Sequence, residues 1–441
     1  MLKADWNLKG ALVAAVLFTP VADAAPPIDA QAAARAFSEF ERACRMDSGK
    51  LWGASLCGPV MLVERETHAF VANARRADDG GVPVKGLFAS ALPSDQAPSN
   101  TSVEWDGLHF AQVQWPLPED PKARVSLLAH ESLHRLQSEQ AWPLAANAGM
   151  GGNAHLDSLE GRIALQLEYR ALAAALKTAP GPLRQRAMED ALAFRRQRFG
   201  RFASAEREER GLEQLEGLAA YTGIAFAGGD AAGRAALALE GLTAQAKAAS
   251  YVRSFAYATG PAYGLLLDGT SAAQTWRPRA RVGQGLDELL AAAASVGGLD
   301  GVTLEARAQE YGGAALRADE LRRDAEAKVR IAALRAELWV GPVLELPLRD
   351  ARRQFNPGNL IPLPELGTVY PTLRVEAEWG VLTVTRAALV TADSKQVRVK
   401  APGTTQAPAR RVTGDGWSLE LAPGWQLTPT TAPGHFTVTR R

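Results

Sequence analysis

The apolar residues of this chain change period twice, and those changes restrict the folds open to it. Before about residue 120 the apolar segments alternate, as in "PVMLVERETHAFVAN" (Pro59 to Asn73) and "TSVEWDGLHFAQVQWPLP" (Thr101 to Pro118). Alternation sends successive side chains to opposite faces of a strand, so these stretches predict a small sheet. A short helix near 31–45 precedes it, and a loop carrying "DDGG" and "LPSDQAPSN" separates the two strand regions. From Pro121 to Leu338 the chain is rich in Ala, Leu, Arg and Glu at helical spacing, broken at "GMGGN", "APGP" and "GG". This spacing predicts helices near 122–140, 156–177, 182–199, 205–226, 230–248, 250–268, 284–296 and 302–338. After "LWVGPVLELPL" short alternating segments return, among them "VYPTLRVEAEWGVLTV", "WSLELAPGW" and "HFTVTRR". They predict an all-β domain over 341–441, a small sandwich or barrel. The expected class is α+β, with a β region (25–120), a helical region (121–340) and the C-terminal β domain.

The N-terminus has a separate meaning. "MLKADWNLKG" carries Lys3 and Lys9, "ALVAAVLF" is a short apolar run, and "ADAAPP" offers a small-x-small cleavage site after Ala24. That order predicts a secretory signal peptide over residues 1–24 and a periplasmic or secreted protein. The apolar run falls short of the roughly 20 residues a membrane-spanning helix needs. No later segment reaches that length, so no transmembrane segment is expected in the mature chain. The two cysteines, Cys44 and Cys57, are expected to pair in an oxidising compartment. A net charge of +1 supports no basic sheath, so no nucleic-acid partner is expected. Trp379, Trp417 and Trp425 of the β domain can form either a ligand face or core and turn anchors, and the latter is expected.

The chemistry concentrates in "LLAHESLHRLQ" (Leu127 to Gln137). His130 and His134 lie four residues apart, one helical turn, so both imidazoles can reach a single metal. Glu131 sits beside the open coordination position, where a general base takes a proton from water. Leu128, Ala129, Leu133 and Leu136 form a core-facing stripe, so the helix is partly buried and its polar groups need partners. Zinc suits this donor set, and a catalytic zinc takes a third protein ligand. His155, in "NAHLD", reads as a helix start. Glu160, in "HLDSLEGRIALQLEYRAL", and Glu216, in "GLEQLEGLAAYTG", each point where leucines point. The alternative for each is a buried pair with an arginine such as Arg162 or Arg253.

"HESLH" followed by "LEGLAAY" resembles the gluzincin zinc metallopeptidases, in particular their aminopeptidase-like branch. The metzincin pattern does not match, because Gln137 and Gln140 stand where that class has its glycine and third histidine. The gluzincin resemblance implies a zincin-like, mainly helical catalytic domain over 25–340. It implies that Glu216 is the third zinc ligand beside His130 and His134. The separation from His134 to Glu216 exceeds the family's usual one, which an inserted helical hairpin over roughly 156–200 accounts for. That separation keeps Glu160 as the alternative ligand. "SFAYATGPAYG" is similar to the family's Y-x-K-G segment, with Thr259 in place of the lysine. By that match Tyr257 donates to the oxyanion of the reaction, and Tyr263 is a second candidate.

The expected function is that of an exported zinc metallohydrolase acting on a peptide or protein substrate, with Glu131 as general base. The alternative is a non-catalytic cell-envelope protein that retains a zinc site. Either way the C-terminal β domain can meet an envelope partner.

Overall fold

A computed structural model describes residues 28–441 apart from 75–81, 94, 95, 97, 106, 145–151, 295–300, 356–358 and 404–409. The expected signal peptide, the "DDGG" turn and most of "GMGGN" lie outside the described residues. The chain is α+β, with a small sheet, a helical middle and an all-β C-terminal region. No described helix is long and apolar enough to cross a membrane.

Helix α1 (Ala30–Asp47) opens the described chain, with Asp29 accepting from the backbone N–H groups of Gln31 and Ala32. Strands β1 (Val60–Glu64), β2 (Ala69–Ala72), β3 (Val82–Val84), β4 (Leu87–Ala91), β5 (Thr101–Trp105) and β6 (Leu108–Trp115) form one sheet in the order β3-β4-β2-β1-β6-β5. The hairpin β3–β4 falls in the segment expected to be loop. Lys85 and Gly86 join it with φ of 48° and 81°, as a tight two-residue hairpin turn requires. Strand β1 is apolar on both faces. Val60 and Leu62 join the core shared with the helices, and Met61 and Val63 a smaller one behind the sheet. Cys44 and Cys57 form a disulfide that ties α1 to the approach to β1.

The helical region contains α2 (Pro121–Glu139), α3 (Leu159–Lys177), α4 (Pro182–Arg201), α5 (Ala205–Leu212), α6 (Leu218–Ala227), α7 (Ala231–Gln245), α8 (Ala256–Asp268), α9 (Trp276–Arg281), α10 (Leu286–Ala293), α11 (Gly301–Glu310) and α12 (Gly313–Arg335). Three expectations change here. The helix expected over 205–226 is α5 and α6 joined by a π-helical turn, Glu213–Gly217. The helix expected over 302–338 breaks at Gly312, which has φ of 72° and caps the start of α12. Arg170 caps the break by donating to the carbonyls of Tyr311 and Gly312. The expected helix 250–268 begins only at Ala256, and before it Tyr251 N–H donates to Asp157 Oδ1 at 2.7 Å. Helices α3 and α4 form the expected hairpin.

The remaining chain forms a seven-stranded and a five-stranded sheet. Leu344, Val397 and Val399 of the first share a core with Val375, Leu382 and Leu419 of the second, as in a sandwich. The other face of the larger sheet packs Val369 and Leu389 with Leu338, and Ile331 and Leu334 of α12 join that cluster. Trp379 and Trp417 are core anchors whose indole N–H groups donate to the carbonyls of Pro347 and Lys400. Trp425 is half-buried beneath Arg440.

Candidate metal centre

Two elements carry the site. Helix α2 starts cleanly because Pro121 occupies its first turn and Asp120 accepts from Ala123 N–H at 2.9 Å. Leu128, Ala129, Leu133 and Leu136 of α2 are buried in the main core, which fixes the helix's rotation. His130 and His134 therefore leave α2 on the face toward the π turn. That turn presents Glu216.

The three side chains converge. His130 Nε2 and His134 Nε2 are 3.1 Å apart, and each lies 3.4 Å from Glu216 Oε2. A tetrahedral zinc with bonds of about 2.0–2.1 Å needs ligand atoms about 3.3 Å from one another. The donor set and its spacing fit such an ion, and all three atoms can face one point. His130, His134 and Glu216 are the group of histidine, cysteine and carboxylate ligands that can hold a metal among the described residues.

Their electrostatics suit a cation. Burial alone would raise the Glu216 carboxyl, but hydrogen bonds with both imidazoles and with Tyr257 hold it well below the carboxylate range. Burial pushes His130 down, toward the neutral form. Burial opposes protonation of His134 too, but Glu216 and then Glu131 outweigh it and raise its pKa. An ionised carboxylate thus faces two imidazoles in a partly dry site.

Glu131 lies beside the triad, only 4% exposed. Desolvation lifts its carboxyl from 4.5 to about 7, against the opposing pull of His134. Its Oε2 is buried without a hydrogen-bond partner among the described residues. A buried carboxyl with a free oxygen beside a metal-type triad is equipped to exchange a proton.

Glu216 has two further partners. Tyr257 Oη donates to its Oε2 at 2.7 Å, and Arg253 Nη2 donates to its Oε1 at 3.2 Å. The Tyr257 ring stacks on His130 with centroids 5.7 Å apart and planes 4° from parallel.

Other candidates lie elsewhere. Glu160, the alternative third ligand, is gripped by Arg317 through bonds of 2.9 and 3.1 Å, with Arg201 at 3.3 Å. Its partners are neither Arg162 nor Arg253, and Arg253, one of the two expected arginines, pairs with Glu216 instead. Tyr263 is not part of the centre. Six residues separate it from Tyr257, which turns it about 120° around α8. Its hydroxyl donates to Glu168 Oε1 at 2.9 Å, beneath the Arg195 guanidinium. His155 Nε2 is engaged with Glu209 Oε1 at 2.8 Å.

The small residue next to Glu216 lets the π turn approach α8 rather than α2. Gly217 packs against Gly260 of α8, whereas the close approach of α2 and α6 occurs at Ser126 and Gly223. One residue of the site escaped sequence reasoning. Gln137, read there only as a departure from another class, accepts from His134 Nδ1 through its side-chain oxygen at 2.8 Å. Its position three residues after His134, on the same helix face, was the available signal.

No family model, curated protein or solved structure matches the chain.

Proposed function

We propose that this protein is an exported zinc-dependent hydrolase of peptide bonds. The observation that carries the reading is the convergence of His130, His134 and Glu216 within 3.4 Å of one another, with buried Glu131 at its edge. His130 and His134 hold the ion through Nε2, and Glu216 through Oε2. Bound zinc supplies Lewis acidity and makes water a usable nucleophile at neutral pH. Glu131 takes the proton from the attacking water and passes it to the leaving amine. Its raised pKa suits both halves of that transfer. Tyr257 supplies a neutral phenolic donor whose single O–H rests on Glu216 in the free site and turns to the oxyanion that forms on the substrate carbonyl. Arg253 and Tyr257 together keep the Glu216 carboxylate oriented.

The Cys44–Cys57 disulfide supports export, since such bonds persist in oxidising compartments. The β domain, joined to α12 through the Leu338 cluster, is the region we assign to substrate presentation or an envelope partner.

Metal analysis of purified protein, combined with cleavage of a peptide library, tests the proposal. We expect one zinc per chain and cleavage that a chelator abolishes. Glu131→Gln should keep the zinc and lose roughly 10²-fold or more in turnover. A wild-type chain that binds no zinc ends the proposal, and unchanged turnover in Glu131→Gln ends the mechanism.

A further inference from the structure

Gln137 touches both halves of the centre. Its Nε2 lies 3.0 Å from the backbone oxygen of Gln214 and 3.3 Å from that of Leu215. Carbonyl oxygens only accept, so the amide NH₂ must face them. The side-chain oxygen of Gln137 then faces His134 Nδ1 at 2.8 Å. That oxygen also only accepts, so Nδ1 carries the imidazole hydrogen. A neutral imidazole has one N–H. His134 Nε2 therefore keeps its lone pair, directed at His130 and Glu216, as a metal ligand must.

The other end of the same amide meets the π turn. In an α-helix the Leu218 N–H would bond to Gln214 O. Here it bonds to Glu213 O, five residues back. The wide turn removes the α-helical donor from Gln214 O, and Gln137 supplies another. Glu216 rides on this turn, two residues after Gln214. Gln137 is only 2% exposed, a burial made tolerable because both ends of its carboxamide are satisfied. A single side chain thus sets the tautomer of one ligand and braces the backbone that carries another.

The geometry points to Gln137 as a positioning residue of the metal centre, holding His134 as an Nε2 ligand and fastening the Glu216 turn to α2. This inference rests on the reading of His130, His134 and Glu216 as a zinc site.

The test uses the full chain and zinc itself. Zinc affinity is measured by competition with a chromophoric chelator for wild type, Gln137→Met and Gln137→Glu. Gln137→Met keeps the bulk and removes both contacts, and should weaken zinc about 10–100-fold. Gln137→Glu keeps an acceptor for Nδ1 but sets a carboxylate against two carbonyls, and should fall between wild type and Gln137→Met. A second readout needs no metal. Histidine ¹⁵N shifts of the metal-free wild type, at a pH where the imidazoles are neutral, should show His134 protonated at Nδ1. In Gln137→Met those shifts should move toward the averaged values of mixed tautomers. If Gln137→Met does not fold, the wild-type tautomer and the Gln137→Glu affinity still decide.

Gln137→Met binding zinc within twofold of wild type overturns the inference and leaves the zinc site standing. So does a wild-type His134 protonated at Nε2. A wild type that binds no zinc removes the site itself, and the inference with it.

Discussion

Tyr257 donates to Oε2 of Glu216 at 2.7 Å, and this is the oxygen that faces both histidines. The phenol is held in place by the ligand set it serves. Burial, and then the Glu216 charge, raise its pKa above the ordinary range, so it remains a donor at any working pH. Tyr257→Phe removes the donor and keeps the ring that stacks on His130. We expect zinc content to be retained and turnover to fall about 10²–10³-fold, the usual effect of losing one oxyanion donor. Steady-state kinetics with parallel metal analysis checks this. Wild-type turnover would leave Tyr257 with a packing role alone.

The two glutamates that look alike in sequence should part in metal binding. Glu216 faces the imidazoles, whereas Glu160 is paired with Arg317 and Arg201. Glu216→Ala should lose zinc on dialysis, and Glu160→Ala should keep one ion per chain. The reverse outcome would show that the third ligand had been misassigned.

What was legible followed from local spacing. The two histidines, the carboxylate between them and the stripe that buries α2 all lie within one helix, where the 3.6-residue period governs every relation. The period changes likewise separated the small sheet, the helices and the β sandwich. What stayed hidden depends on partners distant in sequence. Glu160 and Glu216 occupy similar apolar stripes. Only the fold shows that Arg317, 157 residues from Glu160, reaches one of them. Arginines posed the same difficulty on α4. Nothing local in the sequence marks Arg195 and Arg198, yet both are fully buried among Glu168, Glu209 and Glu213. The π turn left no signature, because widening a helix by one residue alters no side-chain type. That is why Gln137, which answers the turn, looked unremarkable.

The crossing of the π turn and α8 depends on two glycines. A Cβ placed on Gly260 would lie 2.3 Å from Gly217 Cα and 2.4 Å from Gly217 O. Both are backbone atoms, so the turn next to Glu216 must move. Gly260→Ala should destabilise the fold by about 1–3 kcal/mol and weaken zinc binding together with it. Gly200→Ala on α4 is the control, because a Cβ there meets nothing within 4 Å. That change should be neutral or slightly stabilising. Denaturant midpoints and zinc titrations on both variants check the contrast. Equal behaviour would mean that the crossing tolerates a methyl group.

The disulfide should contribute to stability without taking part in the chemistry. Cys44 and Cys57 are 13 residues apart, and closing a loop of that size is worth about 3 kcal/mol in the chain-entropy account. The segment it closes also meets α2, where Arg135 Nη2 donates to Leu56 O at 3.2 Å. The double variant Cys44→Ala/Cys57→Ala should unfold at lower denaturant while keeping zinc at low temperature. Unfolding curves for the oxidised chain and the double variant measure the difference. Coincident curves would show that the fold does not draw on this bond.

Acid should weaken the buried charge network. Glu209 receives two hydrogen bonds from Arg198, at 2.6 and 2.7 Å, and its Oε1 meets His155. Burial alone would raise its carboxyl, but Arg198 and then His155 outweigh burial and bring it from 4.5 down to about 2. Below 4.5 the unfolded chain takes up a proton that the folded chain refuses, so stability falls as pH falls. The contribution is complete above 4.5 and gone once the folded carboxyl protonates near 2. Glu209→Gln removes this titration and leaves Arg198 with Glu168 as its remaining carboxylate partner. The variant should therefore be less stable than wild type at neutral pH, where breaking a buried pair costs roughly 3–5 kcal/mol. The gap should narrow steadily between pH 4.5 and 2, because wild type loses in that window what the variant never had. Melting temperatures of both proteins across the window, taken metal-free to isolate the network from the site, measure it. A gap that stays constant down to pH 2 would mean that Glu209 is not the group through which acid unfolds the protein.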